Sequence, residues 1–178
     1  MSDDIDVRAW LRERGADTVR HPGGTLYQHL CRVSERLAGL GHDPGVQNAG
    51  LTHAAYGTDG FDLALFFWQE RDELRGLVGT EAEEMVYLYG SCDRSRSWRR
   101  LAETGEVTDR FTGDVTRLDG ERLKAFADLS LVNELDVIAQ SPAIFERNEA
   151  WFTELFTAWE PVVSEPLVKE VRQLLRRL

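Results

Sequence analysis

TLYQHLCRVSERLAGL, residues 25–40, decides how the rest of the chain is read. Leu26, Leu30, Val33, Leu37 and Leu40 recur at intervals of four and three, the period that puts side chains on one face of an α-helix. Thr25 supplies a capping hydroxyl at the start, and GHDPG stops the helix. Pro44 then suits the first turn of a further helix through VQNAGLTHAAYG, whose Ala49, Gly50, Ala54 and Ala55 would let another backbone come close.

Toward the N-terminus, Ile5 to Arg14 predicts a short helix with Asp3 or Asp4 as its cap and Gly15 at its end, followed by HPGGT as a loop. Toward the C-terminus, FDLALFFW (residues 61–68) reads as a buried short helix or turn, and QERDELRGLVG as a charged amphipathic helix ended by Gly79. Thr80 and Glu83 have capping-box spacing and open TEAEEMVYLYGSCDR, where Ala82, Met85, Val86 and Tyr89 form an apolar stripe. The segment 104–118, TGEVTDRFTGDVTRL, breaks the helical pattern, and its β-branched residues around TGD predict a small β-hairpin. Asp119 is placed to cap ERLKAFADLSLVNELDVIAQ, a long helix stopped before Pro142. From residue 143 two more helices are expected, broken at Pro161, with Phe145, Trp151, Phe152, Phe156 and Trp159 at helical spacings. The expectation is one all-α domain over residues 1–178, with a C-terminal helical extension at 143–178.

At 178 residues the chain can bury a core without disulfides or a structural metal. Its 31 acidic residues against 21 basic ones, a net charge of −10, argue against a nucleic-acid partner, because phosphate-backbone recognition needs a basic surface. A small anionic substrate, which needs only a local positive pocket, stays open. Cys31 and Cys92 lack C-x-x-C spacing, so neither a disulfide framework nor a zinc ribbon is indicated. The start, MSDDIDVRAW, is acidic where a signal peptide is basic, and no 18-residue apolar run follows, so no membrane association and a cytoplasmic location are expected. No dinucleotide glycine loop, P-loop, H-E-x-x-H or G-x-S-x-G element is present.

The histidines carry the chemistry. His42 sits in the turn GHDPG, where exposure alone explains it. His29 lies three residues after Leu26 and four before Val33, on or beside a packed helix face, and His53 follows Ala49 and Gly50 by four and three. Core packing explains either one alone. Two such histidines on consecutive helices also suit a shared site, and imidazole is a usual ligand for Zn²⁺, Fe, Mn or Co.

His29 in LYQHLCRV followed 24 residues later by His53 in NAGLTHAAYG resembles the first two histidines of HD-domain metal-dependent phosphohydrolases, with an interval similar to that of the alarmone hydrolases. That resemblance implies an all-α HD-like core over about residues 20–140, a divalent metal (Mn, Fe, Zn or Co) and hydrolysis of phosphate esters. Where the HD signature has aspartate after its second histidine, this chain has Ala54. A closer resemblance is to an uncharacterised HD-like family of bacteria and plants with an AGLxHxxYGTxxF pattern, matched by HPGGTLYQHL, AGLTHAAYGTDGF, ERDELRGLVGTEAEEMVYLY and CDR across residues 21–94.

With Ala54 in that place, the missing ligand must come from elsewhere. His21, on the HPGG loop, and Glu83, beside the apolar stripe, are the candidates, although Glu83 serves equally as the capping partner of Thr80. A later acidic ligand is Asp128 or Asp136; Asp136 shares an apolar face with Leu129 and Val132 and is preferred. The metal set is then His21, His29, His53, Glu83 and Asp136, with His53, Asp136 and Tyr56 as the catalytic groups. Arg71 and Arg94 would receive a phosphate or carboxylate. Tyr27, Thr58 and Asn133 would orient the substrate or align the pocket. The first reading is a divergent metal-dependent hydrolase of a small phosphorylated or other anionic metabolite. An HD-type iron-dependent oxygenase and a non-catalytic ligand-binding or scaffold domain are the alternatives. The aromatic tail would either cover the core or form a homodimer interface.

Overall fold

The side chain of Asp6 accepts a hydrogen bond from the Arg8 amide at 3.0 Å and opens α1 (Val7–Glu13). The cap therefore falls later than Asp3 or Asp4, which lie outside the residues 6–176 that this computed structural model describes. The chain divides into two compact units, Met1–Gly90 and Ser91–Leu178.

In the first unit, HPGGT is the turn of a small hairpin and not an irregular loop: β1 (Arg20–His21) pairs antiparallel with β2 (Gly24–Thr25). Thr25 ends this ladder and caps α2 (Leu26–Gly39). Its Oγ1 accepts from the Gln28 amide at 3.3 Å, while Gln28 Oε1 accepts from the Thr25 amide at 3.0 Å, a reciprocal capping box. α2 buries Leu26, His29, Leu30, Val33 and Leu37 against α3 (Pro44–Thr52), which Asp43 caps. Gly50 makes that seam possible, since a Cβ there would stand 2.4 Å from Leu37 Cδ1.

Between α3 and α4 (Arg71–Val78) the apolar run 61–68 is neither a helix nor buried as a whole. The amides of Leu65 and Phe66 both donate to the Ala55 carbonyl at 2.9 Å, and Phe66 turns inward onto Trp10. The chain bends at Leu65 and Phe66, and Phe61, Leu63 and Phe67 face outward, Phe67 being 71% exposed. α5 (Thr80–Ser91) closes this unit. Its Glu83 side chain turns toward Arg71 and Arg75, and not back to the helix start as a capping box requires.

In the second unit, Asp93 caps α6 (Arg94–Ser97), which runs through a 3-10 turn (Trp98–Arg100) into α7 (Leu101–Thr104). The hairpin expected within 104–118 is present as β3 (Glu106–Thr108) and β4 (Val115–Arg117), with Val107 opposite Thr116. α8 (Gly120–Gln140) is buried continuously from Ala125 to Asp136, so its polar residues lie as deep as its leucines. Asp119 occupies its N-cap position without a side-chain cap bond.

The tail forms three helices where two were expected: α9 (Pro142–Arg147), α10 (Glu149–Trp159) and α11 (Glu165–Leu175). The chain breaks at Asn148 as well as at Pro161. Phe145, Phe152, Phe156 and Trp159 are all buried, and Trp159 Nε1 donates to the Trp98 carbonyl at 2.9 Å. At the start of α11 the Ser164 amide donates to Asp128 at 2.8 Å and its hydroxyl donates to the other carboxylate oxygen, tying α11 to α8.

Candidate functional site

His29 on α2 and His53 at the end of α3 are 1% and 2% exposed, and their rings meet edge to face with centroids 5.2 Å apart. His53 Nδ1 lies 2.7 Å from the Gly50 carbonyl. A carbonyl only accepts, so Nδ1 carries the proton in this bond. The bond also satisfies a carbonyl that the end of α3 would leave open. His21 of β1 stacks on His29 at 4.1 Å, Phe61 meets His21 edge-on at 5.7 Å, and Tyr89 of α5 meets His53 at 5.0 Å. Five rings from the hairpin, two helices, a loop and α5 thus form one continuous ladder.

A second cluster shares the wall that α5 makes with residues 53–58. Glu83 is completely buried and accepts hydrogen bonds from Arg71 Nε (2.7 Å), Arg71 Nη2 (2.8 Å), Arg75 Nη2 (3.2 Å) and the Tyr56 hydroxyl (2.7 Å). Burial, with help from the Glu83 carboxylate, pushes the Tyr56 phenol well above its usual range. For Arg71 burial alone would lower the pKa, but the hydrogen bond to Glu83 and its charge outweigh that and raise it. The Arg71 guanidinium also lies 3.8 Å over the Tyr87 ring. Arg75 gives Nη1 to Asp72, while its buried Nε has no hydrogen-bond partner among the described residues. Gly90 lets α5 approach this closely: a Cβ there would sit 2.9 Å from the Gly57 carbonyl oxygen.

The other sequence-derived candidates are placed as follows. Tyr27 accepts from Arg12 Nη2 at 2.7 Å, with that guanidinium over its ring. Thr58 pairs with Phe61 through two backbone bonds of 3.0 Å. In the second unit, Arg94 Nη1 and Asn133 Nδ2 both donate to Glu134 Oε1, at 3.2 and 3.0 Å, and Arg94 covers the Trp98 ring. Asp136 is buried on α8, and Asp128 is held by Ser164.

Arg75 and Glu134 were missed from sequence. A signal for Arg75 existed: two arginines four apart on one helix repel each other unless an acid lies between them. Glu134 had none, because on a helix buried all round its spacing marks no polar face.

The donor set does not fit a divalent ion in this arrangement. His29 and His53 cross at 78°, which suits two ligands of one ion, but the stacked His21 ring is tilted only 23° from His29, so their lone pairs run side by side without converging. Both oxygens of Glu83 already accept from guanidinium groups. Among the described residues no group of three or more His, Cys, Asp or Glu side chains is placed to hold a metal.

A protein-family model described as "Domain of unknown function (DUF6817)" matches residues 10–94, which include both clusters of the first unit. No curated protein matches the chain. A solved structure, that of a metazoan ortholog of SpoT that hydrolyzes ppGpp and plays a role in starvation responses, aligns with a TM-score of 0.65 at 14% identity, covering 99% of this chain and 96% of that one. The fold is HD-domain-like. An HD-like helical fold with small antiparallel hairpins agrees with the all-α class read from the helix periodicities. No helix among the described residues is long and apolar enough to cross a membrane.

Proposed function

We propose that this chain binds a small phosphorylated or other anionic metabolite, with Arg71 and Arg75 as the receiving cations. The observation that carries the reading is the way one buried carboxylate orients two partly exposed guanidinium groups without using all their donors. Arg71 commits Nε and Nη2 to Glu83, and Arg75 keeps Nε without a partner among the described residues. Preorganised guanidinium forks suit phosphate and carboxylate. The fold likeness to a ppGpp-hydrolysing protein supports the same ligand class.

Hydrolysis of that metabolite is the second reading. It is favoured by the buried His53 imidazole, whose orientation is held by the Gly50 carbonyl. Here His53, Tyr56 and Asp136 would be the acid–base groups, and Arg94, Tyr27, Thr58 and Asn133 would add substrate contacts. A divalent ion (Mn, Fe, Zn or Co) is the cofactor the fold relationship suggests, although Ala54 stands where the HD pattern has a carboxylate and the histidines and Glu83 would have to leave their present arrangement to hold it.

Calorimetric titration of inorganic pyrophosphate into wild type and Arg71→Gln tests the first reading. Saturable binding weakened about tenfold in the variant, equivalent to about 1.4 kcal/mol, is expected; a wild type that binds no pyrophosphate overturns it. Phosphate release from pyrophosphate that requires added Mn²⁺ and is lost in His53→Ala would establish the hydrolytic reading.

A further inference from the structure

One helix holds the Arg71 guanidinium by both an edge and a face. Glu83 and Tyr87 stand four residues apart on α5 and therefore lie on one side of it. Glu83 accepts from Arg71 Nε and Nη2 at 2.7 and 2.8 Å, and the centre of the Tyr87 ring lies 3.8 Å from the guanidinium carbon. Tyr87 in turn meets two further rings, Tyr56 at 6.1 Å and Trp68 at 6.4 Å.

A guanidinium group carries five N–H bonds in one plane. Glu83 takes the one on Nε and one on Nη2, which leaves the second hydrogen of Nη2 and both on Nη1. Nη1 has no hydrogen-bond partner among the described residues, and the side chain reaches solvent. One hydrogen of Nη1 and the remaining one of Nη2 point the same way and make a fork that matches two oxygens of a phosphate or carboxylate. Two hydrogen bonds along one edge let the plane hinge about that edge, whereas a ring against its face stops the hinge. We propose that Tyr87 is the positioning residue of this site: its ring fixes the tilt of the Arg71 plane and so aims the Nη1 and Nη2 fork at the oxyanion. Tyr87 acts through Arg71 and needs no contact with the ligand, a role that rests on the reading of Arg71 as the cation that receives an anion.

The test uses the whole chain, inorganic pyrophosphate and a double-mutant cycle followed by calorimetry. Tyr87→Phe keeps the ring and should bind within about twofold of wild type. Tyr87→Leu removes it and should bind about fivefold more weakly, about 1 kcal/mol, which lies within the strength of one cation–π contact. In an Arg71→Gln background, where no guanidinium is left to aim, Tyr87→Leu should cause less than about a twofold further loss. A purely structural role for Tyr87 gives no such dependence on Arg71. If Tyr87→Leu loses the circular dichroism of the wild type, Tyr87→Met takes its place in the cycle. Equal losses from Tyr87→Leu in both backgrounds, wild-type affinity in Tyr87→Leu, or a Tyr87→Phe as weak as Tyr87→Leu overturns the proposal, and Arg71 keeps the anion if Arg71→Gln alone still binds more weakly than wild type. A wild type that binds no pyrophosphate overturns both.

Discussion

Glu83 in the first unit and Asp128 in the second are both fully buried carboxylates, and different kinds of donor reach them. Glu83 is neutralised by charge: two guanidinium groups and a phenol surround it, and both cations reach the surface, with side chains 27% and 36% exposed. Asp128 has dipolar donors, the amide and hydroxyl of Ser164 at the first turn of α11, where unpaired helix amides favour negative charge. The difference separates two uses of a buried acid. Asp128 receives donors from a backbone that cannot move away without unfolding the helix, which suits a structural tie. Glu83 holds side chains that can also be reached from solvent, which suits a site that orients groups for a ligand.

Removing the acid from the first unit should have the largest effect. Glu83→Ala leaves Arg71 and Arg75 facing a cavity without its carboxylate, with only the exposed Asp72 still paired to Arg75, and a loss of about 3–4 kcal/mol is expected in urea unfolding. Because both cations can turn outward, the cost should lie at the low end for a broken buried pair, and pyrophosphate binding should fall with it. A loss under about 1 kcal/mol would break the comparison, since Glu83 would then be no anchor.

Asp128→Asn should cost less, about 2 kcal/mol, the value of charge-assisted hydrogen bonds replaced by neutral and partly mismatched ones. Ser164→Ala, which removes the hydroxyl but keeps the amide bond, should cost about half of that. Neither change is expected to alter pyrophosphate binding. If Asp128→Asn abolishes it, the division between structural tie and ligand site fails.

The smallest effect at neutral pH is expected for Tyr56→Phe, about 1 kcal/mol for one hydrogen bond to a carboxylate that keeps its guanidinium partners. Its signature is in the alkaline limb. The folded-state pKa of Tyr56 is raised, so its contribution is fully present below the unfolded value of about 10. Above that pH the unfolded chain gives up the proton first, and wild-type stability should drop by about 1.4 kcal/mol for each further pH unit. Tyr56→Phe should flatten that part of the limb. Superimposable alkaline profiles for the two proteins would show that the phenol ionises freely and does not belong to the Glu83 cluster.

Much of the helical framework could be read along the chain because its signals are local. Thr25 caps α2, Pro44 opens α3 and Gly50 marks the close seam, each through geometry confined to one turn or one helix face. The hairpin within 104–118 followed from β-branched residues around a turn. Local signals failed where a residue had two partners to choose from. Thr80 and Glu83 have the spacing of a capping box, but two arginines and a tyrosine supply stronger donors than one helix amide, and Glu83 turns to them. The apolar run 61–68 looked buried because hydropathy does not register that the Ala55 carbonyl pins it at a bend, which turns Phe66 inward and leaves Phe67 outside.

The sequence by itself determined that the chain is helical, where α2, α3 and α5 begin, and that His29 and His53 sit on packed faces, since period and capping depend on neighbours within a few residues. Only the tertiary structure decided what those side chains meet. Ring orientation decided whether three histidines converge on one point or stack as a ladder, and competition among donors far apart in the chain decided which carboxylate meets which cation. Both are set by directional interactions across separate elements, on which spacing along a single chain places no constraint.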